Sequence, residues 1–126
     1  DGTSNTIMIN EVRVGSHLAP TDPRGTWALG FPGASVTAGH FSWDCMLPNN
    51  KDDNADDCEG CVNDGPGGMG AWTGCPYQQG QARGRHSGGV AAALCDGSVR
   101  FITNAVTQKA WWLLNASGDG NPNEPD

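Results

Sequence analysis

Basic side chains are scarce in this chain. Seven lysines and arginines stand against fourteen aspartates and glutamates, a formal net charge of −7 over 126 residues. Nucleic acid and anionic membrane surfaces both select basic proteins, so neither is an expected partner. No apolar run approaches the roughly 18 residues that a membrane-spanning helix needs, and Asp1 does not begin a signal peptide. There is no Gly-x-Ser-x-Gly, no His-Glu-x-x-His and no glycine-rich phosphate loop leading into a helix. The commonest hydrolase and nucleotide chemistries therefore lack their residues, and an enzyme is not expected. No internal repeat is visible.

What the chain does have is punctuation. Nineteen glycines and eight prolines, with 37% hydrophobic residues, favour turns and short strands over a helix bundle. One modest core fits this length. The clearest element is a hairpin inside Arg83 to Thr103, where Asp96-Gly97 separates the apolar runs Val90–Cys95 and Ser98–Ile102. Such a pair predicts a two-residue type I′ turn. The near-continuous apolar character of Val90 to Cys95 predicts a strand buried on both faces, with Cys95 a small buried hydrophobe. Val99 and Phe101 alternate with Ser98 and Arg100, which gives the second strand one wet face. Residues Thr6 to Val14 read as a further strand, interrupted at Asn10 and Glu11 and therefore bulged or at an edge. Thr26 to Leu29 reads as another short strand. Thr107 to Asn115 reads as a helix capped by Thr107, with Ala110, Trp111 and Leu114 on one face and Gly118 as its stop. The expected fold is α+β, mainly β: an antiparallel sheet, a long disulfide-tied loop and one short C-terminal helix. Residues 1–117 form the globular head and 118–126 a polar tail.

His86 stands ten residues before Asp96, within Arg85-His86-Ser87-Gly88-Gly89-Val90 and Cys95-Asp96-Gly97-Ser98-Val99-Arg100-Phe101-Ile102. This His-x9-Asp-Gly pattern resembles the C-terminal signature of a large family of prepilin-type surface proteins, catalogued as domain of unknown function 1559 and abundant in planctomycetes. Asp1-Gly2-Thr3-Ser4-Asn5-Thr6-Ile7-Met8 and Arg24-Gly25-Thr26-Trp27-Ala28-Leu29-Gly30 agree with it, in the expected order. The resemblance implies a pilin-like sheet and marks His86, Asp96 and Gly97 as signature positions without assigning them chemistry. It also implies that the chain is the C-terminal part of a longer protein that begins with a prepilin leader and a long apolar helix. The implied function is the head of a type IV pilus-like or pseudopilus-like extracellular filament, self-associating or assembling with a pilin helix. Ala91 to Ala93 are placed to face that helix. A secreted binding module for polysaccharide or a protein partner is the alternative, with Trp43, Trp72 and Trp112 as candidate contacts. A groove left apolar in the isolated domain is the mark of the filament reading.

Seven of the fourteen acids crowd between Asp44 and Asp64 with only Lys51 opposing them. Hard oxygen ligands on a turn-rich loop suit calcium, and the candidate ligands are Asp52, Asn54, Asp56, Asp57 and Glu59. Asp57 sits where an EF-hand wants glycine and Asn63 where it wants glutamate, so this is no EF-hand. A solvated acidic surface is the competing reading. From Cys45 to Gly80 the chain is nearly all turn formers, and so long an irregular loop calls for cross-links. Cys45, Cys58, Cys61 and Cys75 supply them as disulfides in an oxidising exterior, with three pairings open. Cys58-x-x-Cys61 lacks the second pair that zinc would want. His86 is expected to bond backbone near the hairpin.

Overall fold

A computed structural model describes residues 2–15, 20–37, 47–53, 55–72 and 79–117. A single 3₁₀ turn, Thr3–Asn5, precedes β1 (Ile7–Asn10); then come β2 (Gly89–Leu94), β3 (Val99–Thr103) and α1 (Gln108–Asn115). The three strands form one antiparallel sheet in the order β1-β2-β3. This is an α+β fold, mainly β, with one short C-terminal helix.

β2 sits in the middle and alternates. Val90, Ala92 and Leu94 are buried, whereas Ala91 and Ala93 are only half-buried. The strand is thus not covered on both faces. Val90 and Ala92 pack with Ile102, Val106 and Ala82 against Trp111 and Leu114 of α1. Burying each large apolar side chain there stabilises the fold by about 1.5–3 kcal/mol. α1 keeps its expected start: Thr107 Oγ1 accepts from the Ala110 amide at 3.3 Å. It ends at Ala116, whose amide donates to the Trp112 carbonyl; Gly118 and the 118–126 tail lie outside the described residues. β1 is an edge strand, one of the two outcomes expected, but it stops at Asn10 and not Val14, and its register shift lies between Ile7 and Ile9 and not at Asn10-Glu11.

Three local expectations need correction. The hairpin loop has three residues, Cys95-Asp96-Gly97, because Gly97 N donates to Leu94 O and Leu94 N to Ser98 O, each at 2.9 Å. Only Gly97 is left-handed (φ 85°). A type I turn followed by a left-handed glycine spares Asp96 the steric cost that a type I′ turn would impose on its Cβ. Cys95 is consequently an exposed thiol in the turn and not a buried hydrophobe. Thr26 to Leu29 forms a turn closed by Leu29 N to Thr26 O, not a strand, and it leaves Trp27 88% exposed.

The loop before β2 is ordered by charge. Arg24, Arg83, Asp22 and Asp56 are all buried. Asp56 Oδ2 accepts from Arg24 Nη1 at 2.7 Å and from Arg83 Nε at 2.9 Å, while its Oδ1 accepts from the Gln81 amide at 2.9 Å. Arg24 Nη2 donates to Asp22 Oδ2 at 2.7 Å. The remaining guanidinium hydrogens go to loop carbonyls: Val62, Met69 and Gly70 for Arg24, and Asn50, Gly68 and Gly70 for Arg83. Two cations and two anions cancel, and carbonyls with no sheet partner are satisfied. Burial alone would lower the Arg24 pKa, but the hydrogen bonds and charges of Asp22 and Asp56 outweigh it and hold the value above that of an ordinary arginine. Removing one member leaves an unpaired buried charge, so Asp56→Asn and Arg24→Met should each destabilise the domain by about 3–5 kcal/mol in urea unfolding. A loss under 1 kcal/mol would contradict this account.

Candidate functional site

The two halves of the His-x9-Asp-Gly signature lie at opposite ends of β2, so they do not form one centre. At the start of the strand, His86 Nε2 donates to Glu11 Oε1 at 2.8 Å, since a carboxylate only accepts. The other oxygen, Glu11 Oε2, accepts from the Ala91 amide at 2.7 Å. The Glu11 backbone carbonyl accepts from Arg83 N at 2.8 Å. Register continues only to Asn10↔Ala92, and at the next rung a side chain takes the place that a backbone carbonyl would fill. Glu11 thereby ends β1, releases its backbone toward the buried arginine and clamps β2. The partner of His86 is a carboxylate, not the expected backbone group. Its ring also meets Phe101 edge-on, with centroids 6.2 Å apart.

At the other end Asp96 Oδ1 accepts from both the amide (2.8 Å) and the hydroxyl (2.7 Å) of Ser98. The turn is tied to the N-terminal segment by Cys95 N to Thr6 O and Asp96 N to Thr3 O. Arg100 Nη2 adds a bond to Ser4 O. The signature residues thus pin the N-terminal segment at both ends of the central strand.

The calcium candidates do not converge. Asp52 and Glu59 are exposed, Asp56 and Asp57 are buried, and the Asp56 carboxylate is held by two arginines. Asp57 pairs its backbone with Gln79, and Asn54 lies outside the described residues. No group of three or more acidic, histidine or cysteine side chains among the described residues is placed to hold a metal ion. Cys58 and Cys61 are joined in a disulfide; Cys45 and Cys75 lie outside the described residues. Of the tryptophans, Trp72 is 44% exposed, Trp112 is half-buried against the core, and Trp43 is outside the described residues.

A surface that the sequence reading only half anticipated is the outer face of the sheet. Ile9, Ala93 and Val99 form one row across all three strands, and Ala91 pairs with Phe101 beside it. Ile9, Val99 and Phe101 are 59%, 71% and 52% exposed. The wet face of β3 is therefore its apolar one, because Ile102 points to the core. An alternating strand with two apolar sets cannot announce which set is buried.

Two measurements check the signature geometry. Ala91 amide exchange should speed up in Glu11→Ala, with a loss of about 1–3 kcal/mol, whereas His86→Ala should cost under about 1 kcal/mol because its pair faces solvent. The Ser98 hydroxyl and amide, and after them the Arg100 charge, hold the Asp96 carboxyl below the ordinary aspartate value. A group whose folded value is depressed stabilises the fold above its unfolded pKa, and that contribution is lost as pH falls through the folded one. An NMR titration of Asp96 should therefore give a midpoint below that of a free aspartate, moving upward in Ser98→Ala.

No curated protein and no solved structure matches the chain. Residues 1–109 match the family described as protein of unknown function (DUF1559), a span that includes the N-terminal segment, the buried charge cluster, the whole hairpin and the start of α1. The chain belongs to that family.

Proposed function

We propose that the domain is the head of an extracellular pilus-like or pseudopilus-like filament subunit, a structural and not an enzymatic protein. The observation that carries this reading is the apolar outer face of the sheet. Antiparallel sheets with one solvated face ordinarily carry polar residues there, and contiguous exposed apolar surface marks an interaction site. Here the middle strand contributes the small residues Gly89, Ala91 and Ala93, while Ile9 stands on one side and Val99 and Phe101 on the other. That profile suits a long apolar helix laid along β2. The prepilin resemblance supplies such a helix, and the only helix among the described residues has eight residues. The Cys58–Cys61 disulfide accords with an oxidising, extracellular setting, and no described helix is long and apolar enough to cross a membrane.

Electron microscopy of material from the native source tests the assignment, with filaments bearing this domain outside a helical core as the expected result. Val99→Ser with Phe101→Ser should abolish incorporation while leaving the urea midpoint of the isolated domain nearly unchanged, since both side chains are already half or more exposed. Dispersed monomers from native material would instead favour a secreted binding module. Exposed Trp27 and Trp72 support that second reading, and loss of retention on a polysaccharide matrix in Trp72→Ala would establish it.

A further inference from the structure

We infer that the domain carries an anion-binding pocket, built by Arg13, Lys51 and Arg85 beside His86, for a small ligand bearing a carboxylate, sulfate or phosphate group. The cavity has a volume of about 500 Å³, within the usual range for small-molecule sites. In a chain of net charge −7 with seven lysines and arginines, three of the seven line this one cavity, and no acidic residue does. Arg13, Lys51 and Arg85 make no ion pair among the described residues. Opposing charges stand behind the lining: Asp64, whose Oδ1 accepts from the Gly67 amide at 2.8 Å, acts on Arg13 through space, and Glu11 is engaged by His86 and the Ala91 amide.

The walls are fixed. Asn49, in the left-handed conformation at φ 59°, accepts from the Gly84 amide at 2.8 Å and donates to Gly89 O at 3.1 Å and to Asn104 Oδ1 at 2.9 Å. Its own amide donates to Ala82 O at 3.0 Å. One asparagine thus joins the approach to β2 with the exit of β3, and both Asn49 and Asn104 line the cavity. Opposite them, Arg13 Nη2 donates to Gly67 O at 3.2 Å, and its Nε, buried, has no hydrogen-bond partner among the described residues. A side chain on Gly68, itself left-handed at φ 77°, would meet Arg13 Nη1 at 3.2 Å, so glycine there lets the guanidinium lie against the turn. Burial first, then the like charges of Arg85 and Arg83, push the Arg13 pKa below the ordinary arginine value. An anion seated among Arg13, Lys51 and Arg85 would relieve that repulsion.

This inference does not rest on the filament reading. The test uses the ¹⁵N-labelled chain at low ionic strength, titrated separately with sulfate, with glucuronate and with neutral glucose as the blank. Saturable shifts are expected at the Gly67, Gly68 and Gly84 amides with sulfate, glucuronate or both, and none with glucose. Lys51→Gln with Arg85→Gln, both exposed and so compatible with the fold, should weaken binding about ten-fold or more. Arg100→Gln, at the far end of the sheet against Ser4, should leave it unchanged. Response to sulfate alone assigns a tetrahedral oxyanion, and response to glucuronate alone a carboxylate. Absence of saturable shifts with either anion overturns the inference. So does binding that survives the double variant or falls equally in Arg100→Gln.

Discussion

The Asp56 carboxylate, shared between Arg24 and Arg83, is the constraint on which the rest of the structure depends. The described residues from Asn50 to Gly70 include neither helix nor strand, so their carbonyls need partners that secondary structure does not provide. The two guanidiniums are those partners, and Asp56 with Asp22 neutralises them in place. The Cys58–Cys61 disulfide adds little to this order. Cys58 and Cys61 are three residues apart, and a disulfide that closes so short a loop removes little entropy from the unfolded chain. It seals a small apolar cluster with Ala71 and Phe31. The domain accordingly has two interiors, an apolar one between the sheet and α1 and an ionic one inside the loop.

Elements fixed by short-range physics were legible in the sequence. The hairpin, the Thr107 cap and the Trp111/Leu114 face all follow from residues within a few positions of one another. The ionic interior was not legible, because Asp22, Arg24, Asp56 and Arg83 are spread from residue 22 to residue 83 and nothing local tells a buried aspartate from a solvated one. Asp56 and Asp57 read as metal ligands for the same reason: seven acids in one stretch look alike until their partners are known. One signal was available. With only seven basic residues in the chain, each arginine brought into the interior must draw a particular carboxylate inward, and Arg24 already stands two residues from Asp22. The outer sheet face was hidden by a different ambiguity, since both residue sets of β3 include large apolar side chains.

The turn from Gly65 to Gly68 joins the ionic interior to the surface. Its Gly68 carbonyl accepts from buried Arg83 and its Gly67 carbonyl from Arg13, so the position of Arg13 depends on the same loop that Asp56 holds together. Arg83 in turn fixes the Glu11 backbone, and the Glu11 side chain holds His86. Both sides of the basic pocket therefore trace back to one buried carboxylate. A chain of hydrogen-bonded groups with defined partners positions surface charges more narrowly than flexible lysines on an open face would.

His86 is where the pocket and the apolar sheet face meet. Its imidazole lines the cavity and lies edge-on to Phe101, whose ring belongs to the exposed face. A helix laid over Phe101 and an anion seated beside Arg85 would each press on that ring from its own side. Glu11 restrains it from behind through a bond that also terminates β1. A histidine suits this position because it combines a flat face for Phe101 with a ring nitrogen that donates to the carboxylate; phenylalanine would lose the bond and lysine the aromatic contact. Asp96-Gly97 does the complementary work at the other end of β2, where it closes the hairpin and holds the N-terminal segment. The spacing of the signature then spans the central strand and its two flanks: one residue type just before Gly89, another pair just after Leu94, and between them the alternation that turns one face to the core and leaves the other exposed.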